Sequence, residues 1–233
     1  MSPPIGQPLS IRGLRKTYPG AEHPVFAGYG LEVQAGEHLA IVGVSGVGKT
    51  TLLNCIAGLD TWEGGEIVVG EDAVPAGKEA RALFRRAKVG LAFQEPHLLP
   101  EFTVLENLLI PLRLADALDS EGTDWARELL RRVGLEDLAD RLPGQLSGGQ
   151  AARAGLVRAL VRRPALWLLD EPTGNLDPDT ASEVFEVLID LQRECGPTTL
   201  MVTHNLTLAE RCTRVERLRG AGHDTAAPAA AKP

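Results

Sequence analysis

The chain has 233 residues, long enough to bury a substantial core in one large domain or two small ones. Its 44% hydrophobic and 24% charged residues describe a globular protein, and its formal net charge of -7 argues against binding nucleic acid through general basicity. No stretch approaches the ~18 to 20 apolar residues needed to span a bilayer, and the N-terminus MSPPIGQPLSIRG lacks the apolar core of a secretory signal; Cys55, Cys195 and Cys212 lack metal-ligand spacing, so reduced thiols in the cytosol are expected.

In chain order, LSIRGLRKTY and YGLEVQAGE are short and strand-like with turn residues between, which predicts a small antiparallel sheet before residue 40. HLAIVG, His38 to Gly43, reads as a buried strand, and it runs through a glycine-rich turn into TTLLNCIAGL, a helix ending at Gly58. GGEIVVGEDAV is hairpin-like and KVGLAFQ is a further strand. From Pro96 to about Arg163 the spacing turns helical, in TVLENLLIPLRLADAL, DWARELLRRVGL and LSGGQAARAGLVRAL, so a helical insertion separates the strands. ALWLLDEP is again a buried strand, SEVFEVLIDLQREC a helix, and TTLMVTH the last clear strand. Strands alternating with helices predict an α/β fold with a mainly parallel sheet. The tail GAGHDTAAPAAAKP is biased toward alanine and proline and is expected to be disordered.

Three motifs carry chemistry. GVSGVGKT, Gly43 to Thr50, fits G-x-x-x-x-G-K-[ST] between a strand and a helix. Its glycines let backbone N–H groups turn inward around a β-phosphate, Lys49 reaches the β and γ oxygens, and Thr50 offers a hydroxyl to Mg²⁺. LWLLDE places Asp170 at a strand end, where it can face the magnesium shell, and then Glu171, which can act on an attacking water. The third motif is LSGGQ. Ser147 and Gln150 form a Ser-x-x-Gln capping box, yet Gly148 and Gly149 each cost the same helix end about 1 kcal/mol relative to alanine. A plain capped helix explains Ser147 and Gln150 but not the two glycines, so something must approach that end closely.

Taken in order, GVSGVGKT, Gln94, LSGGQ, LWLLDE, NLD at Asn175 to Asp177, and His204 resemble the ATP-binding subunit of an ABC transporter. The resemblance extends to about Leu218. It implies a P-loop NTPase of ABC ATPase type over residues 1–219, with an N-terminal antiparallel β subdomain, a helical subdomain at about 96–163, and a tail at 220–233. In that family two subunits dock head to tail, and each LSGGQ helix points at the ATP held by the other. The resemblance therefore implies that Gly43, Ser45, Gly46, Val47, Gly48, Lys49, Thr50 and Thr51 cradle the nucleotide, and that Tyr18 stacks on adenine. Ser147, Gly148, Gly149 and Gln150 then meet the partner's γ-phosphate, with Asp177 across the dimer interface. Glu171 and His204 act on hydrolysis together with Lys49 and Gln94; Thr50, Gln94 and Asp170 serve Mg²⁺. ATP and Mg²⁺ are the implied ligands. The implied partners are a second copy of the chain and an integral-membrane permease supplied by another chain, with no nucleic acid and with membrane contact only through the permease, at the cytoplasmic face.

Val47, Thr50 in GKTT where GKST is more familiar, the alanines at 151 and 152, and Asn205 depart from the family's commonest residues, but none removes a catalytic group. FQEPHLLPEFTVLENLLIPL and EPTGNLD resemble the branch serving lipoprotein-release and macrolide-export permeases. A cell-division ATPase that controls cell-wall hydrolases without moving cargo carries nearly the same features. Soluble members of the family fit less well, since ribosome-acting ones fuse two cassettes and repair-acting ones carry long coiled-coil insertions.

Overall fold

The computed structural model describes residues 6–220, so the disorder expected of the tail falls outside the described residues apart from Gly220. The elements run β1 (Leu9–Lys16), β2 (Phe26–Val33), β3 (His38–Val42), α1 (Lys49–Ile56), β4 (Gly64–Val69), β5 (Asp72–Ala73), α2 (Lys78–Lys88) and β6 (Val89–Ala92). They continue with α3 (Val104–Leu114), α4 (Ser120–Arg132), α5 (Gly148–Leu160), β7 (Leu166–Asp170), α6 (Pro178–Cys195), β8 (Thr198–Val202), α7 (Leu206–Ala209) and β9 (Arg214–Arg217).

The first sheet is antiparallel, in the order β2-β1-β4-β5. Alternation buries Leu9 and Ile11, and simple period-two alternation would then put Leu14 in solvent. A bulge at Gly13, φ +64, shifts the register between Ile11 and Leu14 and returns Leu14 to the core. The second sheet is parallel throughout, in the order β6-β7-β8-β3-β9. Every residue of β3, β7 and β8 is buried, as central strands covered on both faces require. Their alternate residues face two cores. Ala40, Val42, Trp167, Leu169 and Met201 join the helical insertion and α6, whereas Leu39, Ile41, Leu168, Leu200 and Val202 join α1 and the antiparallel sheet. Each fully buried aliphatic side chain contributes about 1.5–3 kcal/mol, so the parallel sheet is held rigidly from both sides. Its strands end side by side at Val42, Asp170 and Val202, and a common edge of three C-terminal ends is where an open parallel sheet holds its ligand.

Helices α3, α4 and α5 fall between β6 and β7, where helical spacing placed them. Two of them start with reciprocal capping boxes, Thr103 with Glu106 and Ser147 with Gln150. TTLMVTH is not the last strand, however. β9 follows it and pairs in parallel with β3. Its sequence RVER has half-buried to exposed positions and no apolar run, so only the pairing makes it a strand. Helix α2 also escaped the apolar pattern, because Phe84 alone among its residues is fully buried.

Candidate functional site

The loop from β3 to α1 owes its shape to its glycines. Gly46 and Gly48 have φ of +77 and +108, and a Cβ on Gly48 would lie 2.5 Å from Val25 Cγ1. Gly48 is the N-cap of α1, no side chain caps that helix, and its first turn holds no acid. No acid of the helix itself offsets its positive end, which suits an incoming phosphate. Lys49 folds back into the loop and donates from Nζ to the carbonyls of Gly43 at 2.9 Å and Val44 at 3.0 Å. Ser45 and Val47 lie in the loop itself, and Thr50 and Thr51 open the helix.

Thr50 Oγ1 donates to Asp170 Oδ2 at 2.8 Å. Asp170 is 7% exposed, and burial pushes its carboxyl above the usual range. Thr50 and Lys49 pull the other way, and adjacent Glu171 adds to the rise. A buried carboxylate beside a hydroxyl, with no cation bonded to it, is what a divalent ion needs from a protein. The residues therefore fit Mg²⁺. Mg²⁺ is commonly bound through one or two carboxylates, with phosphate and water at its other positions.

Glu171 leaves the strand end with φ +48, a left-handed conformation that costs a non-glycine residue about 1–3 kcal/mol. Its N–H bonds Val202 O at 2.9 Å and its carbonyl accepts from Gly174 at 3.0 Å, so the surroundings impose the conformation. The side chain meets His204 twice: Nδ1 stands 2.9 Å from Oε1, and the His204 backbone N–H donates to Oε2 at 3.3 Å. An ionised carboxylate only accepts, so His204 carries its proton on Nδ1 when this bond forms. Gln94 arrives from the end of β6. Asn175 Nδ2 donates to its carbonyl at 3.0 Å, and Gly174 stands between the Gln94 side-chain amide and Glu171. Lys49, Thr50, Asp170, Glu171, His204 and Gln94 thus come from four strand ends to one edge of the sheet.

Tyr18 lies beside this group. Its hydroxyl donates to Asp60 at 2.9 Å and stands 3.2 Å from Thr51 Oγ1, while the Lys16 ammonium sits 4.5 Å from the ring centroid. Lys16 also bonds Asp60 at 2.9 Å and the Thr61 carbonyl. Lys16 and Asp60 are site neighbours that sequence reasoning missed. The only signal was the GLD that follows the cradle helix.

The signature end is elsewhere. Ser147 Oγ accepts from the Gln150 N–H at 3.2 Å, and Gln150 Oε1 accepts from the Ser147 N–H at 2.8 Å. A Cβ on Gly148 would meet nothing within 4 Å, but one on Gly149 would come within 3.2 Å of Leu176. Gly149 therefore has a packing reason inside the chain, and Gly148 does not. Asp177, next to Leu176, caps α6 by accepting from the Thr180 N–H at 3.1 Å. No hydrogen bond or ion pair among the described residues links Ser147 to Gln150 with the cradle.

A family model described as ABC transporter matches residues 26–174. The lipoprotein-releasing system ATP-binding protein LolD of Myxococcus xanthus is 44% identical over 215 residues, which cover 91% of this chain and 96% of that protein. LolD of a Ruegeria species is 47% identical over 216 residues, covering 90% and 94%. Among solved structures, the dimeric post-hydrolysis state of the ATP-binding cassette MJ0796 bound to ADP and Pi superposes with a TM-score of 0.85 at 33% identity, covering 91% of this chain and 95% of that one. A second dimeric structure of MJ0796, a bacterial ABC transporter cassette, gives 0.83 at 34% identity over the same shares.

Proposed function

Because the chain belongs to the ABC transporter family of ATP-binding cassettes, whose members bind and hydrolyse ATP with Mg²⁺, we propose that it powers the release of lipoproteins from a membrane through a permease supplied by another chain. The observation that carries the catalytic half of this reading is the Glu171–His204 pair set beside Thr50 and Asp170 on one sheet edge. The branch rests on relatives named for lipoprotein release at 44% and 47% identity over nine-tenths of the chain.

In this reading residues 1–219 act as one nucleotide-binding domain, with 96–163 as its helical subdomain. Gly43 to Thr51 hold the phosphates by backbone N–H groups, Lys49 exchanges its two carbonyl partners for phosphate oxygens, and Tyr18 stacks on the adenine. Thr50 and Asp170, with Gln94, hold Mg²⁺, which when bound neutralises charge on the β and γ phosphates. Glu171 takes a proton from the attacking water, and His204 orients its carboxylate from the far side. Ser147, Gly148 and Gln150 of a second copy close over the γ-phosphate, and Asp177 lies across the same interface.

Two ATP molecules so shared act as a clamp. Driving it from mostly open to mostly closed needs about 5.5 kcal/mol of differential binding, which two buried nucleotide sites can supply. The surface from Gln94 to Leu112 is where the permease is engaged, and Leu99 and Phe102 are exposed there. No helix among the described residues is long and apolar enough to cross a membrane, so the proposed place at the cytoplasmic face depends on that permease.

The test is to recover Glu171→Gln from native membranes with MgATP and identify by mass spectrometry the membrane protein that stays bound. A permease with a large extracytoplasmic domain, accompanied by lipoprotein carriers, is expected. Cell-wall hydrolases or division proteins in its place would replace cargo release with mechanical control of those enzymes.

A further inference from the structure

The segment that follows Gln94 is fastened to α5 in two ways that the nucleotide chemistry does not require. Arg158, in the second half of α5, donates from Nη1 to the His97 carbonyl at 2.7 Å and from Nη2 to the Pro96 carbonyl at 2.9 Å. One turn earlier on the same helix, a Cβ on Gly155 would stand 2.8 Å from Pro96 Cβ, 2.9 Å from its Cα and 3.0 Å from its O, so helix backbone and loop backbone touch. Separately, Gly90 of β6 would drive a Cβ to 2.5 Å from the Ala159 carbonyl, so the last turn of α5 rests on the strand that leads into Gln94. These are contacts without slack.

The loop is over-determined in consequence. His97 holds φ +46, a conformation that persists in a non-glycine residue only where its neighbours enforce it, and it is bonded by Arg158 at its carbonyl and by its own ring to the Glu95 carbonyl at 2.7 Å. Further along, buried Asn107 of α3 bonds Leu99 at both N–H and O, and donates to the carbonyls of Phe102 and Thr103. From Pro96 onward the segment therefore belongs mechanically to the helical insertion. Gln94 does not: its carbonyl is held by Asn175, in the loop after Glu171. The boundary between the two bodies falls within Gln94–Pro96.

We propose that Arg158 is a positioning residue which, seated by Gly155, makes α5 and the segment after Gln94 one lever, so that closure of Ser147 on the partner's ATP and placement of Gln94 on the chain's own ATP occur together. The inference rests on the head-to-tail dimer reading. Arg is needed because its planar fork bonds two carbonyls in fixed directions, which a lysine ammonium does not reproduce. Each lever touches both nucleotides of the dimer, and coupling of the two sites follows by linkage.

The test compares Arg158→Lys with the unaltered chain. Steady-state ATPase against ATP concentration gives the Hill coefficient, and a ribose-labelled fluorescent ATP analogue gives affinity at monomer concentrations. We expect Arg158→Lys to bind the analogue as the unaltered chain does, to lose about tenfold in maximal rate, and to drop from a Hill coefficient above one to one. Gly155→Ala, which wedges the same contact without touching the guanidinium, shows the same pattern and serves where Arg158→Lys does not fold. A Hill coefficient and rate within about twofold of the unaltered chain in either folded variant overturns the lever, as does a Hill coefficient of one in the unaltered chain. Glu171→Gln run on a sizing column with MgATP separates the two failures: if it never dimerises, the dimer reading falls and takes the lever with it, whereas a dimer with unchanged cooperativity in Arg158→Lys removes the lever alone.

Discussion

The chain contains two helix starts led by glycine, and they are built for opposite relations to their surroundings. At α1 the glycines answer needs internal to the chain: Gly48 has φ +108 and Val25 stands 2.5 Å from where its Cβ would be. At α5 the backbone is ordinary, Ser147 is a conventional cap, and the space beside Gly148 is open to 4 Å. The first set of glycines is explained by the fold. At the second, Gly148 is left without a reason until another molecule is brought to it, and the contrast separates a residue that shapes a site from one that keeps a site clear.

The largest effect expected joins the two ends. Glu171→Gln removes the proton acceptor while leaving cradle and signature intact, so ATP turnover falls about 10²- to 10⁴-fold and, on a sizing column, MgATP holds the chain as a dimer. A monomer at saturating MgATP would break the comparison, because Gly148 would then face nothing.

A paired substitution comes next. Gly148→Ala leaves the thermal midpoint unchanged or raises stability by up to about 1 kcal/mol through helix propensity, yet lowers ATPase activity about 10²-fold by holding the facing phosphate off. Gly48→Ala loses about 1–3 kcal/mol of stability and nucleotide binding with it. Thermal melts and fluorescent-nucleotide titration of both variants decide the matter, and equal losses in the two would show that both glycines are structural.

The smallest effect concerns the strand that carries the cradle. His38 opens β3, is buried, has no hydrogen-bond partner for either ring nitrogen among the described residues, and packs near Phe185. Burial pushes its pKa down to about 4 from the ordinary 6.5. Between those values the unfolded chain binds more protons than the folded one, so stability is full above pH 6.5 and is lost as pH falls toward 4. Going from about pH 7.5 to about pH 5.5 should remove about 1 kcal/mol, read by denaturant melts, and His38→Leu should flatten that slope. A slope unchanged in the variant would place the acid sensitivity elsewhere.

Sequence reasoning succeeded where burial and backbone geometry leave marks on composition. Continuous apolar runs announced β3, β7 and β8, and GVSGVGKT announced the turn between β3 and α1 because its spacing encodes a conformation that few residues can make. It failed where structure depends on a distant partner. β9 is RVER and exists by pairing with β3; α2 buries Phe84 and little else; Lys16 and Asp60 lie 44 residues apart in the chain and meet only in the fold. Arg158 was visible as a residue but not as a bond, since its acceptors are carbonyls, which every sequence has everywhere.

The outer margin of the parallel sheet has a consequence for how copies of this chain meet. β9 ends the strand order, and the open outer side of an edge strand invites a neighbour's backbone. Here it is short and carries Arg214, Glu216 and Arg217, with Arg214 tied to Glu37 at 2.6 Å and Glu216 at 3.1 Å. Such a fringe of charge makes sheet-to-sheet fusion unfavourable. In the proposed head-to-tail dimer, copies then meet at the nucleotide face and not along this edge.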